Sequence, residues 1–326
     1  TAPFFKQPIS DVFYMKKSTA PSINNDHRIF AIAGGSGDLG LRVIEALCQQ
    51  GMSVRALIRK ETSSDVCEAI KQKGADIYLV DFDDPLALTT ALENVYCVIS
   101  TLNGLEPVMI NIQGNLLNAA VKAGVPRFIP SDFSLDFTKT IAGQNRNMDI
   151  RRDFKRRLDA TPIQATSILC GAFADLLTGE APIILKTFNR ILYWGDADQT
   201  LNFTTREDTA HFTALAAMDD NAPRILRISG DVVSANALAS IMSNLTDSRY
   251  KTLRAGGMKR LGLLITLARK LDTQKTDVFP AWQGMQYLRD MFSGRGQLEP
   301  LDNERYGKYT WTSTQTVLAS DNSNEH

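Results

Sequence analysis

Six short apolar runs punctuate the first half of the chain: Ile29–Ala33, Ser53–Ile58, Asp76–Val80, Val95–Ser100, Arg127–Pro130 and Gln164–Leu169. Several are apolar at nearly every position, the pattern of parallel strands covered on both faces. Helical spacing fills the gaps. Leu39, Val43, Ile44 and Leu47 recur every three or four residues and make one apolar face, and Gly51 stands where a helix commonly ends. Alternating strands and helices predict an α/β fold, a Rossmann-type doubly wound parallel sheet. After Gly171 the rhythm changes. Hairpin-like material appears in YWGDADQTLNFTT, with a turn at Gly195 and Asp196. Helices are expected near 207–218, 235–245, 256–270 and 280–293, with Ser234 as an N-cap. The expected organisation is an N-terminal arm over 1–27, a Rossmann domain over 28–170 and a smaller mixed α/β substrate domain over 171–326. The tail SDNSNEH is expected to fray.

The first strand runs into GGSGDLG, where Gly34, Gly37 and Gly40 are spaced three apart. In a strand–loop–helix setting, the first glycine permits a tight turn. The second lets the backbone approach a pyrophosphate, and the third lets the helix pack on the strand. The helix N-terminus offers unpaired N–H groups and a partial positive charge to phosphates. The loop therefore predicts a dinucleotide site built on Gly34, Ser36, Gly37, Asp38, Leu39 and Gly40. Asp38 is expected to turn its carboxylate away from the bound phosphates.

The second strand ends in Arg59 and Lys60. A carboxylate at this place would accept from the ribose 2′-hydroxyl of NAD, whereas cations suit the 2′-phosphate of NADP(H). At the end of the third strand, Asp81 and Phe82 are expected beside the adenine, and Asp83 as the cap of the next helix. The fourth strand ends in Thr101, Leu102 and Asn103, expected along the nicotinamide-side phosphates and ribose.

Lys and Arg number 36, as do Asp and Glu, so net charge gives no global pull toward nucleic acid or an anionic membrane. No apolar window is long enough to span a bilayer, and the first 27 residues lack the apolar core of a signal peptide. Cys48, Cys67, Cys97 and Cys170 form no C-x-x-C pair and read as free thiols of a reducing, cytoplasmic location. His27, His211 and His326 have no metal-ligand spacing. His211 reads as structural.

GGSGDLG, Arg59, VDFDD and RFIPSDFS (127–134) together resemble the NmrA-like and isoflavone-reductase-like group of atypical short-chain dehydrogenases/reductases. GAFADLL (171–177) and YTWTST (309–314) are similar to later segments of that group. The resemblance implies a Rossmann domain joined to a small substrate domain, with the site in the cleft between them. It departs at the catalytic groups. No tyrosine here is followed by lysine four residues on. The group's reductase branch places a catalytic lysine in a pattern like V-K-A-K-V-R-R-A-I-E, and on IRRDFKRRLD (150–159) that lysine falls on Arg151. A guanidinium holds its proton at any working pH, so it can stabilise an anion but not exchange protons readily.

Lys155, one turn on, is the candidate substitute ammonium. The other charges of this helix have a structural reading. Asp149 pairs with Arg152, and Asp153 with Arg156 or Arg157, around a buried stripe of Ile150, Phe154 and Leu158. Ser131 lies at the carboxyl edge of the sheet, within reach of a nicotinamide or a substrate carbonyl. The candidate catalytic residues are thus Lys155, Arg151 and Ser131. The expected activity is NADPH-dependent hydride transfer to a carbonyl, an enone or a quinone-like small molecule. The alternatives are a non-catalytic NADP(H)-binding redox sensor that signals to a protein partner, or an isomerase or other enzyme that holds the nucleotide without net redox turnover.

Overall fold

The computed structural model describes residues 28–179, 181–273 and 277–324; the expected arm over 1–27 lies outside them. Residues Ile29–Ala33 (β1), Asp38–Gln49 (α1), Ser53–Arg59 (β2), Ser64–Gln72 (α2), Asp76–Val80 (β3) and Pro85–Ala91 (α3) alternate as expected. Val95–Ser100 (β4), Gln113–Lys122 (α4), Arg127–Ile129 (β5), Arg146–Asp159 (α5) and Gln164–Ala165 (β6) continue the rhythm. The six strands form one parallel sheet in the order β3-β2-β1-β4-β5-β6. The order reverses between β1 and β4, the point where such sheets open a ligand crevice.

Strand alternation divides the core between two faces. Phe30 and Ile32 of β1 pack with Val43, Ile44 and Leu47 of α1. Ala31 and Ala33 face Leu88, Leu116, Leu117, Phe154 and Leu158 on the other side. β1 is apolar throughout because both its faces are covered. Helix α1 stops at a left-handed Gly51, where Gly51 N–H donates to Cys48 O and Met52 N–H to Leu47 O. That pair of bonds is the expected glycine stop.

The last expected strand of the sheet divides at Thr166. Residues Ser167–Leu169 (β7) leave the main sheet and pair in parallel with Ile225–Arg227 (β12). The later strands are Ala172–Phe173 (β8), Ile184–Leu185 (β9), Arg190–Trp194 (β10), Leu201–Thr204 (β11), Asp231–Val233 (β13) and Lys251–Gly256 (β14). The expected hairpin around Gly195 does not form. Gly195 turns with positive φ, but β10 pairs with β9 and β14, while β11 pairs with β8 and β13. The turn is real, and the two strands leave it for different sheets.

Helices Arg206–Met218 (α6), Ala235–Thr246 (α7), Met258–Leu271 (α8), Ala281–Phe292 (α9) and Thr314–Asn324 (α10) complete the chain. Ser234 caps α7 through a bond from Ala237 N–H. Of the tail expected to fray, residues 320–324 instead continue α10, and 325–326 lie outside the described residues; α10 buries Leu318 and pairs Asp321 with Lys186. A second core gathers Ile191, Leu238, Leu261, Ile265, Met291 and their neighbours from these later elements.

Helix α6 follows residue 170 but packs on the main sheet beside α1, burying Ala210, Phe212, Ala214 and Ala217 there. Its N-terminal end is tied to α1 and its C-terminal end to the sheet. Arg42 of α1 pairs with Glu207 at 2.6 Å, and Arg206 with Asp38 at 3.5 Å. At the other end the buried Arg127 guanidinium donates to Ala216 O and Ala217 O, and Arg28 donates to Met218 O. A cation suits the exposed carbonyls of a helix C-terminus.

Candidate functional site

The glycine loop sits at the sheet's switch point. Gly34 has φ +87°, and a Cβ there would lie 2.9 Å from the Thr101 backbone. A Cβ on Gly40 would lie 2.3 Å from Gly34 O and 2.7 Å from Thr101 Oγ1. The fold itself therefore demands these two glycines. Gly37 differs. Its φ is −86°, and its nearest neighbour to a Cβ would be Gly34 O, at an ordinary 3.4 Å. Nothing in the protein excludes a side chain at 37, and the position is exposed.

Gly37 is also the N-cap of α1 and offers no side-chain acceptor to the helix. The first N–H groups of α1 consequently lack a capping partner, the condition in which a helix start receives an anion. Ser36 and Asp38 flank this opening and are exposed, while Leu39 is half-buried. The Asp38 carboxylate is turned onto Arg42, at 2.8 Å, and Arg206.

Arg59 and Lys60 stand exposed at the end of β2. Neither makes an ion pair among the described residues. Asp81 accepts from Asp83 N–H, closing a turn. Phe82 is buried among Leu88, Leu102 and Leu117, so its ring backs the crevice from within the core. The expected cap of the next helix is corrected by one residue. Asp84 accepts from Leu86 N–H and Ala87 N–H, while Asp83 receives Asn115 Nδ2. Pro85 at the first helical position moves the cap to the residue before it.

At the end of β4, Thr101 donates from both N–H and Oγ1 to Ala33 O. Leu102 is buried and Asn103 exposed. Ser131 is buried. Its Oγ donates to Leu102 O at 2.7 Å, and its N–H donates to Gln113 Oε1 at 2.9 Å. The hydroxyl proton is thus committed to the β4–β5 junction, and only the oxygen lone pairs remain to meet a ligand.

Asp132, which sequence reasoning passed over, lies fully buried behind Ser131. Its Oδ2 accepts from Ser167 Oγ at 2.6 Å, and Oδ1 has no protein partner. Burial pushes its carboxyl above the usual range, against the opposing pull of Ser167 and the cations Arg151, Arg224 and Lys155. Ser167 Oγ receives Arg224 Nη1, and Arg224 Nε donates to Asp159.

Lys155 donates to the same Asp159, one turn along α5. The candidate ammonium of Lys155 is therefore held by a carboxylate. Arg151 keeps more freedom. Its Nη1 donates to Asn147 O, while its Nε is buried without a partner. The pairs Asp149–Arg152 and Asp153–Arg156 form as expected. Phe154 and Leu158 are buried and Ile150 half-buried.

The start of α5 is held by residues that sequence reasoning missed. Asn145 caps the helix by accepting from Met148 N–H and Gln283 Nε2, and it donates to Asp290 Oδ2. Gln286 accepts from Arg146 N–H. Gln283, Gln286 and Asp290 lie on α9, so contacts from residues far along the chain fix the helix that carries Arg151. Long-range pairings of this kind leave no local signal in the sequence.

Cys97 and Cys170 are buried, and burial pushes each thiol up to about 12. Among the described residues all four cysteines are free, and no cluster suits a metal ion. His211 stacks on Tyr309 with centroids 4.4 Å apart, as a structural histidine would. Among the described residues no helix is long and apolar enough to cross a membrane.

A family model described as the NmrA-like family matches residues 26–255. The chain is 27% identical over 232 residues to phenylcoumaran benzylic ether reductase PT1 of Pinus taeda, covering 66% of this chain and 74% of the relative. It is 23% identical over 248 residues to bifunctional pinoresinol-lariciresinol reductase 1 of Linum usitatissimum, covering 72% and 80%. The binary complex of leucoanthocyanidin reductase with NADPH from Vitis vinifera shares the fold at a TM-score of 0.75 and 19% identity, over 90% of this chain and 99% of that one.

Proposed function

The chain belongs to the NmrA-like family, and we propose that it is an NADPH-dependent reductase. In this reading it transfers hydride to a carbonyl, enone or quinone-like carbon at the carboxyl edge of the sheet. The observation that carries the reading is Gly37. A glycine that neither φ nor packing requires, at the uncapped start of α1, is explained by a pyrophosphate lying on it. Arg59 and Lys60, exposed and free of ion pairs, suit the 2′-phosphate of NADP(H). The similar proteins from flax and pine are reductases by name, which supports the same chemistry here.

The cofactor, when bound, supplies the hydride. Gly34, Ser36, Gly37, Leu39 and Gly40 cradle its pyrophosphate. Asp81 and Phe82 bound the adenine side, and Thr101, Leu102, Asn103 and Ser131 the nicotinamide side. Arg151, with an unpartnered Nε, stabilises negative charge that develops on the substrate oxygen. Lys155 is committed to Asp159, so the proton that completes reduction comes from water or a substrate hydroxyl. The substrate unit would begin near residue 171, with α6 counted to the sheet.

The second reading is a non-catalytic NADP(H) sensor, favoured by the arginine at the lysine position. Following NADPH absorbance with a panel of enones, quinones and aldehydes separates the two. Turnover on any of them supports the reductase. Tight NADPH binding without turnover, with a shape change between NADP⁺ and NADPH forms, transfers the assignment to the sensor.

A further inference from the structure

Helix α8 turns an unusual face outward. Leu261 and Ile265 are buried against the second core, while Leu263, Leu267 and Leu271 are 69%, 53% and 73% exposed. The three are spaced four residues apart and make one stripe along the helix. Large apolar side chains are common on surfaces singly, but a contiguous row marks a contact surface.

The charges on the helix itself all have one sign. Helix α8 contains Lys259, Arg260, Arg269 and Lys270 and no acidic residue. By helical spacing Lys259, Arg260 and Lys270 share the outward side with the leucines, and all three are exposed. None of them makes an ion pair among the described residues. Beside the stripe, between α8, α9 and the segment before α5, lies an open groove of about 510 Å³. Arg269, Lys270 and Arg289 line it. The Arg269 guanidinium is held over the Trp282 ring at 5.3 Å, and Arg289 Nε is buried without a partner. The nearest acid in sequence, Asp272, accepts from Trp282 Nε1.

We propose that the outward face of α8 is a peripheral docking surface for an anionic phospholipid membrane. Charge complementarity selects the occupant. Leucines interleaved with unpaired cations, on a helix lying in the surface, match the way amphipathic segments rest at the headgroup boundary. The leucine row would enter the acyl margin, and the cations would meet the lipid phosphates. The groove with Arg269, Lys270 and Arg289 would take one headgroup. The balanced net charge of the whole chain does not oppose this, because the attraction is local and falls off within a Debye length. The inference is independent of the reductase assignment.

The test is co-sedimentation of the full chain with extruded vesicles of phosphatidylcholine, with and without phosphatidylserine. Binding is expected only with phosphatidylserine and should weaken as salt rises. Leu263→Ser/Leu267→Ser/Leu271→Ser should lower the partition coefficient at least tenfold with unchanged thermal stability, since all three side chains are already in water. Lys259→Gln and Lys270→Gln should each lower it roughly fivefold. Absence of binding to phosphatidylserine vesicles overturns the proposal, as does binding that the leucine substitutions leave intact. A discrete dimer dissolved by those substitutions would assign the face to a second copy. Binding that appears only after deletion of residues 1–27 would assign it to the chain's own N-terminal segment. Either result also overturns the proposal.

Discussion

The side-chain amide of Asn145 donates to the carboxylate of Asp290 at 2.7 Å, and both groups are buried. One partner caps α5 and the other lies on α9, so one bond joins the sheet to the second core. Asn145→Ala removes the cap and leaves Asp290 and Gln283 without their partner. The expected cost is about 2–4 kcal/mol, read as a lower urea midpoint. A change within a few tenths would mean that water replaces the amide without loss.

Gly37→Val should abolish NADPH binding and leave thermal stability nearly unchanged, because a Cβ fits the local backbone and packing. Gly40→Val, by contrast, should unfold or strongly destabilise the chain, since its Cβ would overlap Gly34 O. Cofactor fluorescence and thermal melts distinguish the two. Retained NADPH affinity in Gly37→Val would remove the pyrophosphate from this loop.

Arg59→Ala should weaken NADPH far more than NADH. Loss of a bond to a charged group predicts a roughly 10- to 150-fold fall in affinity. Equal losses for both cofactors would deny Arg59 the 2′-phosphate.

Arg151→Ala should lower turnover by about 10²–10³ if the guanidinium steadies the developing oxyanion, with NADPH affinity little altered. Lys155→Met should stay within about fivefold, as expected for a surface ion pair. A collapse of turnover in Lys155→Met would restore Lys155 as the proton donor.

The carboxyls of Asp132 and Asp290 lie above the usual range because burial disfavours their charged form, against bonds from Ser167 and Asn145 respectively. The unfolded chain therefore loses these protons at lower pH than the folded one. Stability contributed by the neutral form is present in acid and lost as pH rises through the folded values. Asp132→Asn and Asp290→Asn should gain on the parent as pH rises from about 4 toward neutrality. Urea midpoints across that range report it. A gap that widens on acidification would show the carboxyls to be held ionised.

The sheet was legible because its central strands, β1 and β4 above all, are covered on both faces, which writes a nearly continuous apolar run. The glycine loop was legible because its spacing between a strand and a helix is local, although the atoms that crowd Gly34 and Gly40 include Thr101 from the end of β4. Position 84 was misread by one residue because Asp83 and Asp84 are equally suited to cap, and Pro85 decides between them. The hairpin at Gly195 failed for a different reason. A turn signal fixes the bend but not the partners, and those were set by β8, β9, β13 and β14 elsewhere in the chain. The supports of α5 were invisible for the same cause. Asn145 reads as a loop asparagine until Gln283 and Asp290 come to it across more than a hundred residues.

The ties on α6 and α5 bear on how a substrate arrives. Helix α6 is fastened to α1 at one end and to the sheet at the other, and α9 grips the start of α5 on the other flank. A body clasped on two sides does not gape like a hinged jaw. Motion at the carboxyl edge then falls to short segments, such as 101–106 between β4 and the helical turn that follows it. Movements of that size belong to nanoseconds and microseconds rather than to the slower swing of domains.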